Sequence, residues 1–519
     1  MKKNYKYFLG LFLISSVFAC KKDLDINDNP NAPVEATVRT VLPQALTATA
    51  NNISQFNNYG AQVVGYYANG GGVSGWGSIV SYNYQTSEFN GLWSTTYDIL
   101  TDVKYVLDKS EGDATLTEFN AAAKVLKAYN FQLLVDTYND VPYTEANQGL
   151  GTLLPKYDKG TDIYKSLADL CDEAITSFKT VTTATPAFKI ADPLFGGDAK
   201  RWAQFANTLK LKLVLKGKGK VQFSNTTFDA AVGFITADAS VQPGYTKIEG
   251  KQNPAWNRWA YSASGAAVSS ASQYAVTPWI MSFYDDTKIY DPARANVVYK
   301  SGTSTAVNQL GYQLADAGRG ASPSSWFRGS NASTYDKIGI LKGPDAAQPI
   351  MLASESYFLQ AEASLDGTLP AGSAKTAFLS GIEASYRYLY LNNAGTVTAG
   401  KDPVADAGKY QADNAENPLV NFDAAATDAQ KLEAIITQKY IAFNMLFGHE
   451  AWNEFRRTGY PSIKTSGADE TETFVSIVSE SSAPNKLPTR LPYPLSEYKY
   501  NAGNIPNADK YTSKIFWAK

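Results

Sequence analysis

Histidine is almost missing from this sequence: His449 is the only one among 519 residues. A zinc site built on histidines is thereby excluded, since such sites draw on several imidazoles or thiolates at once. A Ser-His-Asp hydrolase would have to use His449, and no nucleophile-elbow motif accompanies it. The residue is expected to pack or cap. Cysteine is nearly as scarce. Cys20 and Cys171 are the only two, too few for a disulfide framework, and Cys171 sits in a helical pattern as a small buried residue. No long run of lysine or arginine occurs and the net charge is −2. A nucleic-acid binder carries a basic stripe that displaces counterions from phosphates, so nucleic acid is not an expected partner. No apolar run reaches the roughly 20 residues that a membrane-spanning helix needs.

What abounds is aromatic side chains. Tyr (33), Phe (24) and Trp (9) make up 13% of the chain, and Tyr and Trp join a flat apolar face to a polar handle, as binding surfaces require. The N-terminus reads as an address. Lys2, Lys3 and Lys6 precede the short apolar run Tyr7 to Phe18, and Ala19 precedes Cys20, the order of a secretory signal. We expect residues 1–19 to be a signal peptide and Cys20 to be lipidated, as in a bacterial lipobox. Acyl chains contribute roughly 0.8 kcal/mol per buried methylene, so several anchor firmly. Residues 20–40 are polar and turn-rich and read as a tether. Asp25, Asn27 and Asn29 imitate a calcium loop, but Pro30 stands at its glycine and Ala36 at its bidentate glutamate. No metal and no cofactor is expected.

From residue 41 the pattern is helical. Leu42, Ala45, Leu46, Ile53 and Phe56 share one face, and further faces run over Leu92–Leu107, Ala122–Asp136, Ile163–Phe178 and Trp202–Leu213, the last stopped by Gly217 and Gly219. Later helices are expected over Ile350–Leu365, Ala374–Leu391 and Leu432–Phe447. Strand-like alternation is sparse. The fold class is therefore mainly all-α, with helical hairpins of tetratricopeptide type carrying a long, irregular, loop-rich face. Trp93 and Trp202 lie on helical faces and belong to the core. Three loops are rich in aromatics or glycine: 69–84, 253–259 and 318–327. Gly70, Gly72 and Gly75 satisfy G-x-G-x-x-G, but no preceding strand is legible, so the dinucleotide reading is rejected. Glu450 and Glu454 share a helix face, and Arg456-Arg457 follow them. An internal ion-pair network is the expected role, with bidentate capture of a carboxylate as the alternative.

Taken in order, several segments resemble the SusD/RagB family of outer-membrane nutrient-binding lipoproteins. They are Asp136-Thr137-Tyr138-Asn139-Asp140-Val141-Pro142-Tyr143, with Asn139 where the family has glycine; Arg201-Trp202-Ala203-Gln204-Phe205-Ala206-Asn207; Asp291-Pro292-Ala293-Arg294; Glu355 to Glu362; Trp452-Asn453-Glu454-Phe455-Arg456-Arg457; and Arg490-Leu491-Pro492-Tyr493-Pro494. The resemblance implies one helical binding domain over 41–519. It also implies a lid over a SusC-like TonB-dependent transporter, and capture of oligosaccharides at the cell surface without catalysis. A surface glycoside hydrolase and a peptide-binding member of the same scaffold remain as alternatives. The family supplies no ligand residue. From the residues themselves, the loop aromatics Trp76, Tyr82, Tyr84, Trp256, Trp259 and Trp326 are expected to stack on sugar faces. Trp76 leads, because five glycines within Gly70 to Gly77 leave it few local neighbours.

Overall fold

The computed structural model describes residues 36–70, 76–300, 307–312, 326, 332–464 and 469–519. Cys20 and most of the tether lie outside these. Helix α1 (Val38–Val63) opens the described chain, three residues earlier than the periodicity suggests. Next come α2 (Asn90–Ser110), α3 (Thr117–Tyr138), α4 (Gly160–Thr180) and α5 (Ala199–Gly217). Each packs on its predecessor. Helices α6 (Ala353–Leu365), α7 (Ala374–Tyr390), α8 (Pro403–Asp413) and α9 (Asp428–Ala442) repeat the arrangement, with α7 between α6 and α8. Helix α10 (Gly448–Thr458) then returns to lie against α1. The class is mainly α. Trp202 is fully buried in α5, its indole donating to Asp192 Oδ2 at 2.8 Å, and Trp93 is buried in α2. Buried apolar side chains form one contiguous core, with a small satellite of Leu211, Leu215, Leu359 and Ala363.

Local chemistry sets the helix ends. Asp198 caps α5 through a 3.1 Å bond from the Arg201 amide, and Gly219 turns away at φ 71°. Two expectations are corrected. Ile350 belongs to a strand, and α6 starts at Ala353. The segment 253–259 is no loop: Asn253 accepts from Trp256 N at 2.9 Å and Pro254 takes the first position of a short helix, Pro254–Trp259. Asn139, where the family has glycine, has a positive φ of 67° with ψ −87°. Its Oδ1 accepts from Phe516 N at 2.6 Å, holding this turn against the C-terminal segment.

Two short antiparallel ribbons position the loops. Strand β1 (Tyr67–Asn69) pairs with β3 (Tyr274–Val276), and β2 (Ala239–Val241) pairs with β4 (Gln348–Met351). A strand therefore does precede Gly70, contrary to the sequence reading, and a one-turn helix, Gly77–Val80, follows. The partner strand is antiparallel, so the unit is not the parallel one that dinucleotide binding needs. Gly72 and Gly75 lie outside the described residues.

Candidate functional site

The β1–β3 register places Tyr67 opposite Val276 and Asn69 opposite Tyr274. Tyr67 and Tyr274 are then diagonal neighbours on one face, and their rings stack at 4.6 Å with 17° between planes. Three of the indoles picked from sequence converge on this pair. Trp76 meets Tyr274 edge-on at 5.2 Å, Trp259 meets Tyr67 at 5.2 Å, and Trp326 lies 5.7 Å from Trp259. Residues from four separate segments thus make one aromatic cluster, each contact worth about 0.5–1.5 kcal/mol beyond burial. The cluster is closed inside and open at one edge. Trp259 and Trp326 are buried, while Trp76 and Tyr274 are only half-buried. Buried N–H groups without partners among the described residues adjoin it: Trp259 Nε1, Trp326 Nε1 and Arg258 Nε. Burial pushes the Tyr67 hydroxyl well above its ordinary range, and it donates to Asn58 O at 2.9 Å.

The remaining sequence-picked rings go elsewhere. Tyr82 and Tyr84 pack with Tyr59 and Phe89, and Tyr82 Oη accepts from Ser476 N at 3.1 Å. Trp256 sits 4.5 Å from Tyr335 and 5.8 Å from Tyr261. As the rings stand, Tyr82, Tyr84, Trp256, Trp259 and Trp326, each at most 2% exposed, offer no face to solvent. That differs from the exposed platforms expected of loop aromatics, because long-range neighbours cover them. Trp76 also has packing partners, Tyr67 of β1 and Tyr274 of β3. Tyr67, Tyr274 and Arg258 were not picked out from sequence. The strands of Tyr67 and Tyr274 have three residues each, too short for period-two alternation to register, and Arg258 sits in a helix of six residues that the sequence reading took as a loop.

The charged residues of the motifs form a second constellation, deep between α3, α5, α6 and α10. Lys216 Nζ lies 2.6 Å from Asp136 Oδ2 and 2.7 Å from Glu450 Oε2. Lys212 Nζ lies 3.3 Å from Glu450 Oε1 and 2.6 Å from Glu355 Oε1, the latter an ion pair without hydrogen-bond alignment. Asp136 Oδ1 also accepts from Trp517 Nε1 at 2.9 Å. Arg457 grips Glu362 with two bonds, 2.6 and 2.8 Å, and pairs with Glu454, which Lys439 holds at 2.9 Å. Burial alone would raise the Glu450 carboxyl; Lys212 and Lys216 overcome it and hold the group well below the usual carboxylate range. The same contest leaves Glu454 at about 2, through Arg457 and Lys439. The bidentate arginine thus binds a carboxylate of its own chain, as the ion-pair reading expected. His449 packs between Phe56 and Phe447 at 5.6 and 5.9 Å with neither ring nitrogen partnered among the described residues, and burial lowers it to about 3. A histidine so placed stays neutral at physiological pH.

The motif residues thus lock one helical scaffold, and the loops present an aromatic cluster with an open edge. A sequence profile of the SusD-like family, described as starch-binding and associating with the outer membrane, matches residues 30–494. The chain belongs to this family. Solved SusD-like structures share its fold. A chitin-binding homologue from Flavobacterium johnsoniae is 21% identical, with 92% of this chain and 98% of that one covered at a TM-score of 0.69. A homologue from Bacteroides fragilis NCTC 9343 is 18% identical, covering 93% and 100% at 0.66. A SusD-like protein from Bacteroides thetaiotaomicron VPI-5482 is 23% identical, covering 92% and 98% at 0.65. A search of curated proteins returned no match. Among the described residues of this SusD-like chain, no helix is long and apolar enough to cross a membrane.

Proposed function

We propose that this chain captures oligosaccharides at the outer cell surface, without catalysis, and passes them to a SusC-like TonB-dependent transporter. The observation that carries the reading is the open edge of the aromatic cluster. Trp76 and Tyr274 present partly exposed rings backed by a rigid stack, and Arg258 adds an unpartnered N–H beside them. Sugars offer C–H faces ringed by hydroxyls, which suit an aromatic surface with polar neighbours. A chitin-binding relative with the same fold adds weight. Glu450 and Glu454, the paired carboxylates on one helix face, are committed to buried ion pairs, so this pair is not free for glycosidase chemistry. The Lys-rich start, the apolar run and Ala19-Cys20 support lipid anchoring at the cell surface.

The test is a glycan and peptide array, followed by titration of the glycan bound best and a reducing-end assay on it. Trp76→Ala and Tyr274→Ala should each weaken binding about fivefold or more, equivalent to about 1 kcal/mol, with the melting temperature held. If melting drops by several degrees while affinity holds, the cluster is a structural pin. New reducing ends would establish the hydrolase, and peptide-only binding the peptide reading.

A further inference from the structure

Away from the aromatic cluster, a cleft of about 720 Å³ opens between the start of α5, the β2–β4 ribbon and the facing sides of α6 and α7. None of its lining residues belongs to the cluster. Its volume is in the range of ligand pockets. Lys342 lines it, at 7% exposure. The ammonium donates to Gly339 O at 2.6 Å and Tyr388 O at 2.7 Å and lies 4.4 Å from the Tyr388 ring centre. Among the described residues no carboxylate lies within ion-pair distance of it, whereas the other buried lysines there, Lys210, Lys212, Lys216 and Lys439, each pair with one. A buried cation without a counter-ion is costly. Arg201 also lines the cleft. It stacks on Phe195 at 4.5 Å and spends one N–H on Asp238 O at 3.3 Å, again with no carboxylate partner among the described residues.

We propose that this cleft is a second ligand site, which takes the carboxylate of a uronic-acid unit in an acidic oligosaccharide between Lys342 and Arg201. The bound anion supplies the missing counter-charge. Two acidic side chains in the cleft set the class of anion. Glu383 is paired with Arg387 at 3.0 Å, and Asp238 accepts from Ala353 N at 2.9 Å. Their charge opposes a phosphate or sulfate dianion more than a single carboxylate. Tyr357, Ser240 and Ser380 provide ring and hydroxyl surface for a polyol body. Protonation fits the same geometry. Burial lowers Lys342 to about 7, opposed by Asp238, and burial raises Asp238 to about 6, opposed by the Ala353 amide and by Lys342, Arg201 and Arg387. A carboxylate arriving at about pH 7.5 should therefore draw a proton onto Lys342.

The experiment titrates the full chain, in mild detergent, with tri-galacturonate, tri-mannuronate and a hyaluronan tetrasaccharide, each beside its carboxyl-reduced counterpart. At least one acid should bind roughly tenfold or more tighter than its counterpart, as charge-assisted pairing implies, with net proton uptake seen across buffers of different ionisation enthalpy. Arg201→Gln and Lys342→Met should each lose that preference, whereas Trp76→Ala should keep it. Arg201→Gln sits at the rim and provides the readout if Lys342→Met fails to fold. Three results would overturn the proposal: no acid preferred over its counterpart, both variants binding as the wild type does, or loss of acid binding on Trp76→Ala, which would place the sugar on the aromatic cluster. Failure of neutral glycans to bind bears only on the reading of that cluster.

Discussion

Replacing Lys216 by methionine removes the ammonium that bridges Asp136 Oδ2 at 2.6 Å and Glu450 Oε2 at 2.7 Å, and leaves the alkyl stem in place. All three side chains are at most 3% exposed, so water cannot replace the lost charge. Removing one partner from a buried pair costs about 3–5 kcal/mol. Here the loss falls on two carboxylates at once, which then face each other across the vacated site. Lys212, 3.3 Å from Glu450 Oε1, remains as the second cation on that carboxylate, whereas Asp136 loses its ammonium partner. The pH dependence follows. In the wild type the Glu450 carboxyl is held low, so its contribution is present at neutral pH and lost as pH falls through the acid range. In Lys216→Met only Lys212 still holds the Glu450 carboxyl down, so that contribution is smaller and the loss of stability on acidification should be shallower than in the wild type. Urea unfolding followed by tryptophan fluorescence and circular dichroism measures both. A destabilisation of about 3 kcal/mol or more at about pH 7.5, shrinking as pH falls below about 5, is expected. A cost under about 1 kcal/mol, or one independent of pH, would refute the argument that this network is charge-matched and dry.

His449, lowered to about 3 from 6.5, is neutral in the fold while the unfolded chain takes up a proton below 6.5. Its contribution should be lost as pH falls through that window, with a slope up to about 1.4 kcal/mol per pH unit, and His449→Phe should flatten that part of the profile; parallel profiles would refute it. A Cβ on Gly60 would lie 2.1 Å from His449 N, so Gly60→Ala must push α1 off α10 and should cost about 3 kcal/mol or more, while Gly408→Ala, exposed in α8 with open space around it, should stabilise by about 0.5–1 kcal/mol. Chemical denaturation of the pair checks both signs. Metabolic acyl labelling should mark the wild type and miss Cys20→Ala, and gentle extraction should recover a large barrel protein with the chain; a lone monomer across mild detergents would count against the partner.

Helical periodicity was legible wherever a helix had one wet face. The faces over Leu92–Leu107 and Ile163–Phe178 fall inside α2 and α4, since an amphipathic stripe is recorded in spacing alone. It was less legible at ends set by long-range contact. Periodicity carried on to Phe447, but α9 ends at Ala442 and α10 begins at Gly448, whose amide donates to Asn57 Oδ1 at 2.8 Å. Of the candidate site, sequence supplied Trp76, Trp259 and Trp326, and the fold gathered them. It missed Tyr67, Tyr274 and Arg258, which become a site only once β1 pairs with β3 over 200 residues away.

By itself the sequence determined the helical class, the family motifs, the core placement of Trp93 and Trp202, and the exclusion of histidine-built metal sites. Each follows from composition, spacing or residue type, which are local properties. Only the tertiary structure decided which aromatics are covered, which buried lysines are paired and that Lys342 has no carboxylate at ion-pair distance among the described residues. Lys212, Lys216 and Lys342 are the same residue type in similarly apolar surroundings. The first two meet carboxylates brought by α3, α6 and α10, and the third meets two carbonyls and a ring. Burial and electrostatic compensation depend on what distant segments deliver to the same point in space, and no local pattern around a residue records that.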